Sequence, residues 1–145
     1  MNKYSINITI AKTQGAKWTR LALHEKGAAK WQLSVNHSEL ACGNHSLSPG
    51  TPWQTDFIVA EEPDSSLPHE YIGPNYCESL DAIIPIIRKL PSNEIQRAIF
   101  ILEEIIIKTI NEKTEYWCRL SNLATPEQWC EAYLKVKGKW INDSN

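Results

Sequence analysis

Histidine and cysteine gather in one stretch of this chain. His37, Cys42 and His45 lie close together, and His69 or Cys77 could add a fourth ligand. Imidazole and thiolate are ligands that zinc accepts, and Cys42-Gly43-Asn44-His45 has the spacing of a tight ligating turn. A strong zinc signature carries two close pairs, however, and only one is present. The plainer expectation is two solvated histidines and a buried thiol. Cys77 with His69 also has the residue types of a nucleophile and its base. Cys77 precedes a predicted helix N-terminus, which favours a thiolate, but Glu78 and Asp81 beside it oppose one. Glu61 and Glu62 could do acid–base work; adjacent acids in a proline-rich stretch are more simply solvated. The sequence contains no glycine-rich phosphate loop, no Gly-x-Ser-x-Gly elbow and no His-Glu-x-x-His pair. The expectation is a non-enzymatic protein with no cofactor and no bound metal.

Charge is distributed more tellingly. Residues 31–87 contain no Lys or Arg, and they hold Glu39, Asp56, Glu61, Glu62, Asp64, Glu70, Glu78 and Asp81. Residues 1–30 are basic, with Lys3, Lys12, Lys17, Arg20, Lys26 and Lys30 against Glu25 alone. If the central acids share one surface, they create a negative patch that draws in a basic partner and speeds encounter. Tyr71 and Tyr76 would anchor it, with Trp53 in the same block. Nucleic acid is not the expected partner, because binding phosphates calls for Lys and Arg on one face.

The elements that would position these groups change in kind along the chain. Tyr4, Ile6, Ile8 and Ile10 alternate with Ser5, Asn7 and Thr9, which predicts a strand over Lys3 to Ala11. Gly15 predicts a turn. Trp18 to Glu25 and the run through Trp31, Leu33 and Val35 predict a strand pair joined around Lys26 to Ala29. Asn36 to Trp53 reads as loop, Thr55 to Ala60 as a short strand, and Glu61 to Tyr76 as a long loop punctuated by Pro63, Pro68, Gly73 and Pro74.

Helical spacing takes over from Glu78. Leu80, Ile83, Ile84, Ile87 and Leu90 form one stripe, with Pro85 inside it expected to kink or divide the helix. Ser92 to Ile110 forms a second and longer helix, capped by Ser92, with Ile95, Ala98, Ile99, Ile101, Leu102, Ile105 and Ile106 on a broad apolar face. Phe100 and Ile107 fall outside that face and suggest a second, smaller contact. Glu112 to Asn122 is ambiguous between helix and strand. Thr125-Pro126-Glu127-Gln128 is a capping box opening a last helix, which Gly138 ends.

At 145 residues the chain is expected to be one α+β domain. Its strands lie mainly in residues 1–60, its long loop in 61–76 and its helices in 78–138. The expected arrangement is an antiparallel sheet covered on one face by an αα-hairpin and a C-terminal helix. No apolar run suits a signal peptide or a membrane span, so a cytoplasmic location is expected.

These features lead to one functional expectation. The chain reads as a protein-binding inhibitor of the immunity or antitoxin type found in bacteria. It would occlude a basic, nuclease-like toxin domain with Asp56, Glu61, Glu62, Asp64 and Glu70, while Tyr71 and Tyr76 fill pockets. Two alternatives stand beside it. One is an accessory or phage-type interaction domain without a toxin partner, contacting through Phe100 and Ile107. The other is a hydrolase or zinc-binding domain using His37, Cys42 and His45.

Overall fold

The computed structural model describes residues 1–23, 29–34, 53–60, 62–109 and 124–142. Among them the order of elements is α1 (Lys3–Thr13), β1 (Lys17–Leu23), β2 (Ala29–Ser34), β3 (Trp53–Ala60), β4 (His69–Ile72), α2 (Leu80–Arg88), α3 (Ser92–Thr109) and α4 (Pro126–Val136). The fold class is α+β. The chain packs into two compact units. One unites Met1–Ile10 with Pro74–Asn145 and is helical; the other is Ala11–Gly73 and holds the sheet.

The first segment is a helix, not the expected strand. An alternation of isoleucines every second residue also contains residues four apart, and the fold uses those. Ile6 and Ile10 are buried together with their neighbours Asn7 and Ala11, whereas Tyr4 is exposed. Asn2 sets the helix start: its side chain accepts the Ser5 N–H at 2.8 Å and its carbonyl accepts the Ile6 N–H at 3.0 Å, which is the work of an N-cap. Gly15 ends the helix at φ +88°. The Ala16 N–H returns to the Ala11 carbonyl and the Gly15 N–H to the Lys12 carbonyl, the paired bonds of a Schellman motif.

The sheet has the order β3-β1-β2-β4. β1 pairs antiparallel with β2, Trp18 opposite Leu33 and Thr19 opposite Gln32. It also pairs antiparallel with β3, with a register shift between Thr19 and Leu21. β4 lies parallel to β2, Gln32 beside Glu70, so the sheet is mixed and not antiparallel. This strand also interrupts the expected 61–76 loop. Pro68 and Gly73-Pro74 bracket its four residues, and the Pro68 carbonyl accepts the Trp31 N–H at 2.8 Å. Proline lacks a donor but keeps its acceptor, so it can stand at the start of an edge strand. Trp18, Trp31 and Leu33 are buried on one side of the pleat, and Thr19 and Gln32 are buried on the other.

In the helical unit α4 packs on α3 and, less extensively, on α2. The principal packing among the described helices is made by α4, and not between α2 and α3 as an αα-hairpin would make it. α2 runs through Pro85 as one helix. Pro85 and Asp81 are both exposed, so water can serve the carbonyl four residues back that the proline cannot. α3 begins with the Ile95 N–H on the Pro91 carbonyl, so Ser92 lies in the first turn and is not its cap. Ala98, Leu102 and Ile106, four apart, form its buried seam. α4 starts with the expected capping box: Thr125 Oγ1 accepts the Gln128 N–H at 3.3 Å, and Gln128 Oε1 accepts the Thr125 N–H at 2.9 Å. Trp129 and Tyr133 are buried on this helix. Gly138, at φ +63°, closes it with a second Schellman pairing, Lys139 to Leu134 and Gly138 to Lys135. Lys137 then reaches Glu94 in the first turn of α3 at 2.6 Å.

Candidate functional site

The central acids do not stand alone. Glu62 is paired with Lys12, Glu70 with Lys30, and Glu78 with Lys3 at 3.4 Å. All three lysines come from the basic first thirty residues. The segregation seen along the sequence therefore becomes neutralisation in the fold. Gln32, buried on β2, donates a further hydrogen bond to the Glu70 carboxylate at 3.2 Å. The Lys30 hydrogen bond, aided by Gln32, holds the Glu70 carboxyl below its ordinary value against the cost of partial burial.

The other residues proposed for partner binding are placed as follows. Asp64 is exposed and accepts the Ser66 N–H at 2.9 Å; hydrogen bonds from Ser66, with smaller help from the charges of Arg20 and His69, lower its pKa. Asp56 is on β3, and Glu61 lies outside the described residues. Tyr71 is half-buried, its hydroxyl 2.6 Å from where a Cβ on Gly73 would stand, so the ring occupies space that only glycine leaves. Tyr76 is 2% exposed and is a core residue of the helical unit. It cannot fill a pocket on a partner.

The chemical candidates separate too. His37, Cys42 and His45 lie outside the described residues. His69 stacks at a tilt on Trp18, ring centroids 5.4 Å apart, and its Nε2 lies 3.0 Å from the Asp64 carbonyl. Cys77 is buried, and its N–H donates to Asn7 Oδ1 at 3.2 Å, so it is not paired with His69. Among the described residues no three His, Cys, Asp or Glu side chains are grouped to hold a metal ion. None of the helices among them is long and apolar enough to cross a membrane.

Among the described residues, carboxylates without lysine partners occur instead on α3. Opposite its buried seam, Phe100 is 61% exposed and Ile107 is 55% exposed. At about 100° per residue these two side chains project within about 20° of one another. Glu104 on the exposed side and the half-exposed Glu103 lie between them along the helix, and neither makes an ion pair among the described residues. Arg97 and Lys108 flank the patch, and Ile99 extends it on one side. The arrangement is two apolar knobs two turns apart with two acids between. The off-face position of Phe100 and Ile107 was visible in the sequence. The same spacing puts Glu103 and Glu104 on that polar side, but block charge passes over two acids in a nearly neutral segment.

No protein-family model matches the chain, and no curated protein and no solved structure matches it either.

Proposed function

We propose that the protein binds and masks a basic protein, as an inhibitor of the immunity or antitoxin type masks a nuclease-like toxin, and that α3 supplies the contact. The observation that carries this reading is the exposure of Phe100 and Ile107 on either side of Glu103 and Glu104, which make no ion pair among the described residues. Exposed aromatic and aliphatic side chains of this size are typical anchors when a partner desolvates them. Acids between them select a partner carrying Lys or Arg at the matching place. A second copy of this chain suits the face poorly. Laid antiparallel so that Phe100 meets Ile107, it would set Glu103 against Glu104 and bring like charges together.

The acidic loop and sheet residues contribute less on this reading, because Glu62 and Glu70 would first have to leave their lysines. The contact surface is thus the one expected for an accessory interaction domain, while the partner's charge is the one expected for a toxin.

The test is binding to the product of the neighbouring gene and to a panel of basic nuclease domains, followed by surface plasmon resonance at two salt concentrations. Phe100→Asp should abolish binding. The double change Glu103→Lys, Glu104→Lys should slow association about tenfold or more and remove its salt dependence. Glu62→Gln should leave it unchanged. Binding that survives Phe100→Asp, or no binding to any basic protein tried, would overturn the reading. A dimer abolished by Phe100→Asp would assign the face to a second copy.

A further inference from the structure

Four residues of α3 form a diamond. Phe100, Glu103, Glu104 and Ile107 stand at positions i, i+3, i+4 and i+7 of one helix. Such a set is the hole into which a facing helix inserts one side chain in knobs-into-holes packing. Phe100 and Ile107 lie about 10.5 Å apart along the axis. Glu103 is turned about 60° to one side of the Phe100 direction and Glu104 about 40° to the other. Phe100, Glu104 and Ile107 are exposed and Glu103 is half-exposed, so the diamond faces solvent.

Its corners are two apolar and two anionic, and this selects the knob. An aliphatic side chain would strip water from both carboxylates and offer them nothing in return. A long cation suits all four corners. Its stem packs between the ring and the isoleucine while its charged head reaches the acids. Arginine fits better than lysine, because a planar guanidinium can lie on the Phe100 ring and still donate to carboxylates.

We propose that the diamond receives a single arginine delivered by an α-helix of the partner. This rests on the reading of α3 as the contact surface. The spacing selects the helix. Side chains on one side of a strand repeat at about 6.8 Å and about 13.6 Å, and neither matches Phe100 and Ile107. A helix laid along α3 repeats every seven residues at the matching 10.5 Å or so. Its positions three before and four after the arginine fall beside Phe100 and Ile107 and are apolar. The partner's pattern is thus Leu-x-x-Arg-x-x-x-Leu or an aliphatic equivalent. The two acids contribute unequally. Arg97 and Lys108 project on the Glu104 side of the helix, so they offset Glu104 and leave Glu103 the stronger attraction.

The experiment needs no natural partner. The probe is a capped, alanine-based helical peptide of about twenty residues, long enough to be helical in water, carrying Leu-x-x-Arg-x-x-x-Leu. Fluorescence polarisation should show saturable binding to the full-length protein. Glutamine in place of the probe's arginine should weaken binding about tenfold or more, and lysine there about threefold. Proline at the probe's centre should abolish binding. On the protein, Glu103→Gln should cost more than Glu104→Gln, and Phe100→Leu should remove the preference for arginine over lysine. No saturable binding, equal binding of the glutamine probe, or equal binding of the proline probe would overturn the inference. So would self-association of the protein that Phe100→Asp abolishes, which gives the face to a second copy. If a basic protein binds through Phe100 while the probe does not, the arginine receptacle fails and the proposed function stands. If the probe binds and no basic protein does, the reverse holds.

Discussion

Lys30 of β2 and Glu70 of β4 are joined as a hydrogen-bonded ion pair beside the parallel pairing of the sheet, with Gln32 donating to the same carboxylate. The pair ties the edge strand to its neighbour by side chains as well as by backbone. Glu70 titrates below its ordinary value in the folded protein because of Lys30. A depressed folded pKa means that the unfolded chain binds the proton first as pH falls. The stabilisation is therefore present above the ordinary carboxylate range and is lost as pH drops through the folded value. Glu70→Gln should lower stability at pH 7 by about 0.2–1 kcal/mol, the range of partly exposed pairs. The difference between variant and wild type in urea unfolding should shrink as pH falls below the carboxylate range. An unchanged difference at low pH would show that Glu70 acts through packing alone.

The two sides of α3 should respond oppositely to truncation. Leu102 is fully buried, so Leu102→Ala should cost about 2–5 kcal/mol through lost transfer energy and a cavity. Phe100→Ala, on the exposed side, should change stability by no more than about 0.5 kcal/mol. Denaturant midpoints measure both. A large loss from Phe100→Ala would mean that the ring is packed in the free protein and is not available to a partner.

Thr125 and Gln128 exchange hydrogen bonds at the start of α4, and α4 packs on α2 and α3. Thr125→Ala should destabilise by about 1 kcal/mol, with Thr125→Ser close to wild type because the hydroxyl survives. Thermal unfolding followed by circular dichroism would distinguish them.

Asn7 is 7% exposed on an otherwise apolar side of α1. It accepts from the Cys77 backbone and donates to Asn75. Asn7→Leu should cost about 1–3 kcal/mol by leaving a buried N–H without its acceptor. It should also speed amide exchange at Cys77 more than in the centre of α3, which hydrogen-exchange mass spectrometry would resolve. Uniform exchange changes would indicate a general loss of stability with no special role for the Asn7 hydrogen bonds.

What the sequence made legible follows from how local the signals are. The capping box of α4 and its terminal glycine need only adjacent residues, and both operate as read. The spacing of Ala98, Leu102 and Ile106 needs only one helix. The first segment misled because Ile6 and Ile10 satisfy periods of two and four at once. The deciding signal was Asn2, an N-cap placed before the alternation. β4 is only four residues long and borrows its pairing from β2, so nothing within it announces a strand. The ion pairs of Glu62, Glu70 and Glu78 link residues remote in sequence. Their oppositely charged blocks were visible, but which acids met which lysines depended on the fold. The separation of Tyr76 from Tyr71, one in each unit, was hidden for the same reason.

The helical unit is discontinuous, and this has a consequence for how the protein is made. The partners of Asn7, namely Asn75 and Cys77, emerge from the ribosome only after the whole of Ala11–Gly73 has been translated. The sheet unit can close during translation, because its strands are already present by then. The opening turns of α1 must wait, with their asparagine unsatisfied. Residues 1–10 thus meet their native partners only after the segment that forms the sheet unit has been made.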